Sequence, residues 1–399
     1  MRRTLAAGLT LLTVTALATP TAAAPEAANQ KGPKQATLTN FASLPALTFV
    51  PGSEPSGAAL GTTPINGVPV PFADQPVQGF SGVLRNSDGT FDVLSDNGYG
   101  TKANSADFNL RIHRIAPDFK TGAVDVLGGI TLTDPNGHIK APLVRADRVI
   151  TGQDIDVESF TRGSDGTYWM GDEFGPYLLH FDRAGRLLAA PVPLPGVRAP
   201  ENPEGNPNLG GSKGFEGITL SPDGKTLNAL LEGTVAGDEP GTLRLNEFSL
   251  AANAYTGKKW LYQLEDPAFA IGDAIAVDNN RLLIIERDSG QGAAAKHKKV
   301  YLADKRDRDK NGKLDKTLVA DLMNLANPEH VGGQADPFTF PFVTIEDVTI
   351  LDDRTIAVLN DNNFPSSSGR TPGKPDNNEF ITIRLADNLH ADPRVLRRR

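Results

Sequence analysis

The stretch ESFTRGSDGTYWMGDE, residues 158–173, holds two short strand-like runs around Ser164-Asp165-Gly166 and has an acid at each end. An Asp-Gly pair between alternating apolar residues is a strong short-range hairpin signal. The same pattern recurs as EGITLSPDGKTLNALLE, residues 216–232, and three further copies begin at Ser81, Asp273 and Glu346. The copies close on Ser95-Asp96-Asn97-Gly98, on Asp172-Glu173, on Glu232, on Glu286-Arg287-Asp288 and on Asn360-Asp361-Asn362. An antiparallel hairpin returns to the level where it started, so each copy brings its flanking acids or amides to one open end. Spacings of about 57 to 77 residues leave room for two more strands per copy, the arithmetic of a four-stranded unit repeated around an axis. The expected fold is therefore all-β, a β-propeller of five to seven four-stranded blades. A pair of β-sandwiches or a β-rich two-domain chain would share the turns, but not the acids at equivalent places. Ala36–Pro71, with strand-like pieces such as Ala46–Val50, is expected to help close the ring with Phe380–Leu385.

The 399 residues carry 40 Lys+Arg against 48 Asp+Glu, a formal charge of −8, with no basic stripe to follow a phosphate backbone, so nucleic acid is not an expected partner. Zero cysteines exclude disulfides, thiolate zinc, iron–sulfur clusters and a cysteine nucleophile. Gly 40 and Pro 30 favour many turns over long helices. Met1-Arg2-Arg3, an apolar run Leu5–Ala18 and small residues at Thr21–Ala24 read as a cleaved export signal over residues 1–24, with general secretion favoured over the twin-arginine route. The run is shorter than a bilayer requires, so no membrane span is expected. Residues 25–35 read as a flexible linker and 36–399 as the folded domain, a monomer in the secreted or periplasmic space.

The motifs GFEGITLSPDG (214–224) followed by Glu232, WMGDEFGP (169–176), IERD (285–288), SDNG (95–98) and NDNNF (360–364) together resemble the phytase-like family, described as having esterase-like activity of phytase. The resemblance runs from about Gly79 to Leu385. It implies a secreted propeller related to calcium-dependent phytases, acting on phosphoric or carboxylic esters of small molecules.

The residues themselves support the metal. Calcium takes six to eight oxygen ligands, and clustered carboxylates repel one another unless a cation or protons neutralise them. Glu158, Glu216 and Arg287 are the candidates for catalysis, and Arg162 and Lys213 for contact with an anionic substrate, Arg by paired N–H donors. Asp172, Glu173, Glu232, Asp273, Glu286, Glu346 and Asp361 are the candidate metal ligands at the mouth. The competing reading is structural: acids at strand ends can bond backbone amides of the next blade, and Glu286-Arg287 can be an ion pair.

A second metal candidate rests on spacing. Asp307, Asp309, Asn311 and Asp315, with Gly312 at place six, match the first nine places of a calcium loop, while place twelve is Leu318 rather than Glu. Gly210-Gly-Ser212-Lys-Gly214 matches a serine-hydrolase motif but follows a Pro/Asn/Gly-rich loop instead of a buried strand, and neither His180 nor His330 shows triad spacing. The resemblance, with the clustered acids beside it, implies a calcium-dependent phosphoric-ester hydrolase. The alternatives are a binding or scaffold propeller with structural calcium, and a metal-dependent lactonase or carboxylesterase.

Overall fold

The computed structural model describes residues 35–397; the expected signal and all but the last residue of the expected linker lie outside them. β1 (Thr37–Leu44) comes first. It is followed by β2 (Phe80–Arg85), β3 (Phe91–Ser95), β4 (Arg111–Asp118) and β5 (Ala123–Thr131), then β6 (Val157–Arg162), β7 (Tyr168–Asp172), β8 (Tyr177–Phe181) and β9 (Val192–Pro193). The third set is β10 (Phe215–Leu220), β11 (Thr226–Leu231), β12 (Thr242–Ser249) and β13 (Ala254–Gln263); the fourth is β14 (Ala270–Ala276), β15 (Arg281–Arg287), β16 (Lys298–Asp304) and β17 (Asp315–Asp321). β18 (Thr344–Asp352), β19 (Thr355–Asp361), β20 (Asn378–Arg384) and a short α1 (Pro393–Arg397) end the chain.

Three sets form separate antiparallel sheets in sequence order, and the rest form one eight-stranded sheet, β18-β19-β20-β1-β5-β4-β3-β2. That sheet is two four-stranded halves. β1 pairs along β20 from Thr37↔Arg384 to Leu44↔Asn378, but meets β5 at the single pair Ser43↔Ala123. The N-terminal strand therefore completes the last set. The closing strand is Thr37–Leu44, not the Ala46–Val50 run, whose Phe49 makes only an isolated bridge to Pro76.

The first strands of the sets pack in cyclic order: β2 on β6, β6 on β10, β10 on β14, β14 on β18, and β18 back on β2. This arrangement is propeller-like. It follows from burial, because an inner strand such as β10 is buried at all six positions, whereas the outer β13 has one buried position among ten. Apolar layers fill the gaps between sets. Phe160 and Met170 meet Leu94 and Ile112, Phe215 and Leu227 meet Trp169 and Leu178, and Tyr262 and Leu230 meet Ile271 and Ile284. Val300 and Leu283 meet Ile345 and Val358, and Phe380 and Leu359 meet Val83 and Phe91, which closes the circle. Each fully buried side chain of this kind contributes about 1.5–3 kcal/mol. Three inner hairpins turn alike: Asp88, Asp165 and Asp223 each accept a backbone N–H two residues on, at 3.0, 3.0 and 3.2 Å, and the intervening Gly takes the left-handed φ.

Candidate cation centre

Each inner hairpin breaks register near its open end: between Phe80 and Val83, Val157 and Ser159, Phe215 and Gly217, Ile271 and Asp273, and Thr344 and Asp347. A bulge re-aims a side chain. Within these bulges lie Ser81, Glu158, Glu216, Gly272 and Glu346. Across the hairpin, at or just past the end of the second strand, stand Asp96, Glu173, Glu232, Arg287 and Asp361. The fourth set differs at both positions. A Cβ on Gly272 would lie 1.9 Å from the Ile345 carbonyl oxygen, so no carboxylate fits there, and the paired position carries the guanidinium.

Arg287 Nη2 reaches Glu346 Oε1 at 2.9 Å, Glu232 Oε1 at 3.2 Å and Glu216 Oε1 at 3.6 Å. Lys213 pairs with the other oxygen of Glu232. Ser81 Oγ donates to Glu346 Oε2 at 3.0 Å. Asp156, the residue immediately before β6, receives Asn97 Nδ2 and Ser212 Oγ on its Oδ2, both at 2.7 Å. Carboxylate oxygens of Asp156, Glu158 and Glu173 come within 4.8 Å of one another, as do those of Glu173, Glu216 and Glu232.

Eight acids (Asp96, Asp156, Glu158, Glu173, Glu216, Glu232, Glu346 and Asp361) thus face two cations, Arg287 and Lys213, and every acid is buried. Burial first, and the neighbouring carboxylates next, hold Glu158, Glu173, Glu216 and Asp96 well above the usual carboxylate range. Burial likewise raises Glu346 to about 8, against the pull of Arg287, and Asp361 to about 6. Asp156 Oδ1, Glu173 Oε1 and Glu216 Oε1 are buried without a hydrogen-bond partner, as is the donor Arg287 Nε. Unpartnered buried oxygens of this kind in a native site call for an ion or water. The donor set is all oxygen, which suits a hard cation such as calcium.

Several expected members stand elsewhere. Asp172 accepts from the backbone N–H of Asp156 at 2.9 Å and of Gly175 at 2.7 Å. Glu286 points to the outer strands, where it takes bonds from Tyr262 Oη at 2.8 Å and Lys316 Nζ at 2.9 Å. Successive strand residues face opposite sides, which separates Asp172 from Glu173 and Glu286 from Arg287. Asp273 lies one residue past the bulge and accepts from Val348 N at 2.9 Å. Arg162 ends β6, four residues or about 13 Å beyond Glu158, and binds Asp92 at 2.7 Å.

In the loop between β16 and β17, oxygens of Asp307, Asp309 and Asp315 converge within 4.8 Å, and Asn311 stays with Asp309 through a 2.9 Å bond. Leu318 is in β17, paired with Tyr301, and offers no oxygen from its side chain. Gly210–Gly214 is a turn rather than the end of a strand, His180 stacks on Trp169 at 4.2 Å, and His330 lies in an exposed turn.

Sequence reasoning passed over Asp156, named Ser81, Asp96 and Asn97 only as the ends of the first copy without a role, and weighed Ser212 only as a hydrolase nucleophile. Asp156 and Glu158 are two apart in one extended segment, a signal that was available. The reach of Ser212 from a loop was not.

An all-β ring of inner strands with carboxylates gathered at one end defines a propeller-like protein built around an acidic mouth. The chain belongs to the phytase-like family, described as esterase-like activity of phytase, whose model matches residues 75–364. An uncharacterized secreted protein of Arthroderma benhamiae is 26% identical to it, over 39% of this chain and 42% of the relative, so the match spans less than half of that protein. Among solved structures, a protein of unknown function from Dyadobacter fermentans is 10% identical, with 88% of this chain and 95% of the other covered, at a TM-score of 0.43. An exo-β-1,3-galactanase from Phanerochaete chrysosporium is 11% identical, with 83% and 64% covered, at 0.41. Likenesses this loose carry no argument about chemistry. No helix among the described residues is long and apolar enough to cross a membrane.

Proposed function

We propose that this chain is an exported, calcium-dependent ester hydrolase of five blades, with small phosphoric esters as its substrate class and carboxylic esters as the second choice. The observation that carries the reading is the set of buried carboxylate oxygens without a hydrogen bond on Asp156, Glu173 and Glu216, in a ring that two cations cannot neutralise. Glu173, Glu216 and Glu232 would hold one calcium, and Asp156 and Glu158 would share Glu173 with a second. Bound calcium would supply Lewis acidity, polarising the phosphoryl group and offsetting negative charge on its oxygens. Glu158 and Glu216 thereby move from catalysis to cation holding. Arg287 keeps three of the carboxylates in place and has Nε–H left for a substrate oxygen. Lys213, partly exposed beside Glu232, offers an ammonium to the anion at the rim. The loop Asp307–Asp315 is a brace, with calcium tying its carboxylates together.

The name of the fungal relative and the apolar run after Arg3 support export, in keeping with a signal over residues 1–24 and a linker over 25–35. A monomer needs no partner to complete this mouth, since all five inner hairpins come from one chain.

The test is phosphate release from phytate and from simple phosphomonoesters by the mature protein, with calcium and then with chelator, beside a carboxylic-ester control. Calcium-dependent phosphate release, lost in Glu216→Gln at a melting temperature unchanged in chelator, is expected. Turnover of the carboxylic ester alone would move the reading to the lactonase or esterase class. Neither turnover, with calcium still raising thermal stability, would leave a binding propeller.

A further inference from the structure

The loop Gly210–Gly214 is no nucleophile elbow, yet two of its side chains enter the mouth. Consecutive residues reach one acid from each convergent group: Ser212 Oγ donates to Asp156 Oδ2 at 2.7 Å, and Lys213 pairs with Glu232. Gly214 seats the loop on the ring. A Cβ there would lie 2.5 Å from the Glu173 carbonyl oxygen and 2.8 Å from that of Asp172, so the loop can come this close only without a side chain. The Gly214 carbonyl then accepts the Glu232 N–H at 2.8 Å, and the Lys213 carbonyl accepts the Gly233 N–H at 3.0 Å.

Asp156, 0% exposed, is held from every side but one. Its backbone N–H donates to Asp172 Oδ1 at 2.9 Å, and its carbonyl accepts the Glu173 N–H at 2.9 Å. Asn97 Nδ2 joins Ser212 on Oδ2 at 2.7 Å, and Asn97 is itself oriented by the Gly100 N–H, which donates to its Oδ1 at 2.7 Å. A carboxylate oxygen has lone pairs for about two hydrogen bonds, so Oδ2 is filled. Oδ1 is buried and accepts none.

The backbone of Ser212 is strained. Its φ is 46°, in the left-handed region that a glycine enters freely and a serine seldom does. Gly210, Gly211 and Gly214 surround it, so a serine at the strained place stands out in a loop otherwise made of glycines and one lysine. Strain of this kind persists where a side chain is needed.

We propose that Ser212 is a positioning residue for the cation at Asp156, Glu158 and Glu173: with Asn97 it fills Asp156 Oδ2, fixes the rotation of that carboxylate and reserves Oδ1 for the metal. This rests on the reading of the mouth as a calcium centre. Ser212 itself touches neither metal nor substrate.

The test is calcium titrated by calorimetry into the metal-free mature protein carrying Asp307→Asn/Asp309→Asn, which removes the loop between β16 and β17 from the signal, and into the same protein with Ser212→Gly, Ser212→Ala or Ser212→Thr. Gly and Ala remove the hydroxyl and should weaken calcium binding about tenfold or more, the size usual for losing an outer partner of a metal ligand. Thr keeps the hydroxyl and should retain most of the affinity. Melting temperatures in chelator should fall in a different order. Ser212→Gly, whose relief of the left-handed φ offsets the lost hydrogen bond, should stay within about 2 °C of the parent. Ser212→Thr, β-branched at that φ, should melt lowest. A residue that only held the loop would make affinity follow melting temperature. Parent-like affinity in the Gly and Ala variants, or affinity that follows melting temperature across all three, would overturn the proposal and leave the calcium centre standing. A parent that binds no calcium would overturn the reading of the mouth and this proposal with it.

Discussion

Two groups of acids in this molecule use the same side chains under opposite conditions. In the loop Asp307–Asp315 the carboxylates are half-buried or exposed and already serve the loop's own backbone. Asp307 accepts from the Gly312 N–H at 3.0 Å, Asp309 from Asn311 at 3.2 Å and Asp315 from Arg308 at 3.0 Å. At the mouth, Glu173, Glu216 and Glu232 are 4%, 2% and 4% exposed, and oxygens of the first two have no hydrogen-bond partner. Water screens the first group more than the second, although Asp307 Oδ1 in the loop is also buried without a hydrogen-bond partner. The comparison teaches that the number of acids says little about a cation. What their oxygens already bond, and how far they are from solvent, says more.

The largest effect that could break this contrast is in Glu173, because it belongs to both convergent groups. Glu173→Gln should lower calcium-dependent ester hydrolysis by about 100-fold or more, a loss of several kcal/mol of the stabilisation a metal provides. Initial rates at saturating calcium measure it, and a rate within a few-fold of the parent would show that the mouth is not where chemistry occurs.

Next comes the pH dependence of the metal-free protein. Glu346 is raised from an unfolded value of 4.5 to about 8, and Asp361 from 3.8 to about 6. Acids whose folded pKa is raised stabilise the fold fully below their unfolded pKa and lose that contribution as pH rises through the folded pKa. Melting temperature in chelator should therefore fall between about pH 4 and pH 8, and saturating calcium should flatten or reverse the slope. A metal-free curve that rises over that window would contradict the burial argument.

A smaller, purely steric effect sharpens the picture of the fourth hairpin. Gly272→Ala puts a Cβ against the Ile345 carbonyl, backbone that cannot swing aside, and should cost about 1–3 kcal/mol. Chemical denaturation would show it as a lower midpoint; an unchanged midpoint would mean that the two strands separate easily.

The smallest effect is at the loop. Asp309→Asn should leave hydrolysis unchanged and reduce the calcium-induced rise in melting temperature by about 2 °C or less, as expected for an exposed site. A loss of activity there would erase the distinction between brace and centre.

The hairpin repeat was legible because Asp-Gly turns and alternating strands follow local rules, and Glu158, Glu216 and Glu346 fell out of it as equivalent positions. Asp273 did not fit, because a bulge of one residue decides which side chain enters the ring, and bulges leave no mark in the apolar pattern. The same pleat separates Glu286 from Arg287 and Asp172 from Glu173, neighbours in sequence that face opposite ways. Arg162 looked close to Glu158 by number, yet an extended strand carries it to the far end of the channel.

The most direct test of the central claim is calcium titration calorimetry on the metal-free protein, its Glu173→Gln/Glu216→Gln variant and its Asp307→Asn/Asp309→Asn variant. The account predicts that the tighter calcium binding survives the loop substitutions and disappears with the mouth substitutions. Tight binding that persists without Glu173 and Glu216, or vanishes with Asp307 and Asp309, would contradict it.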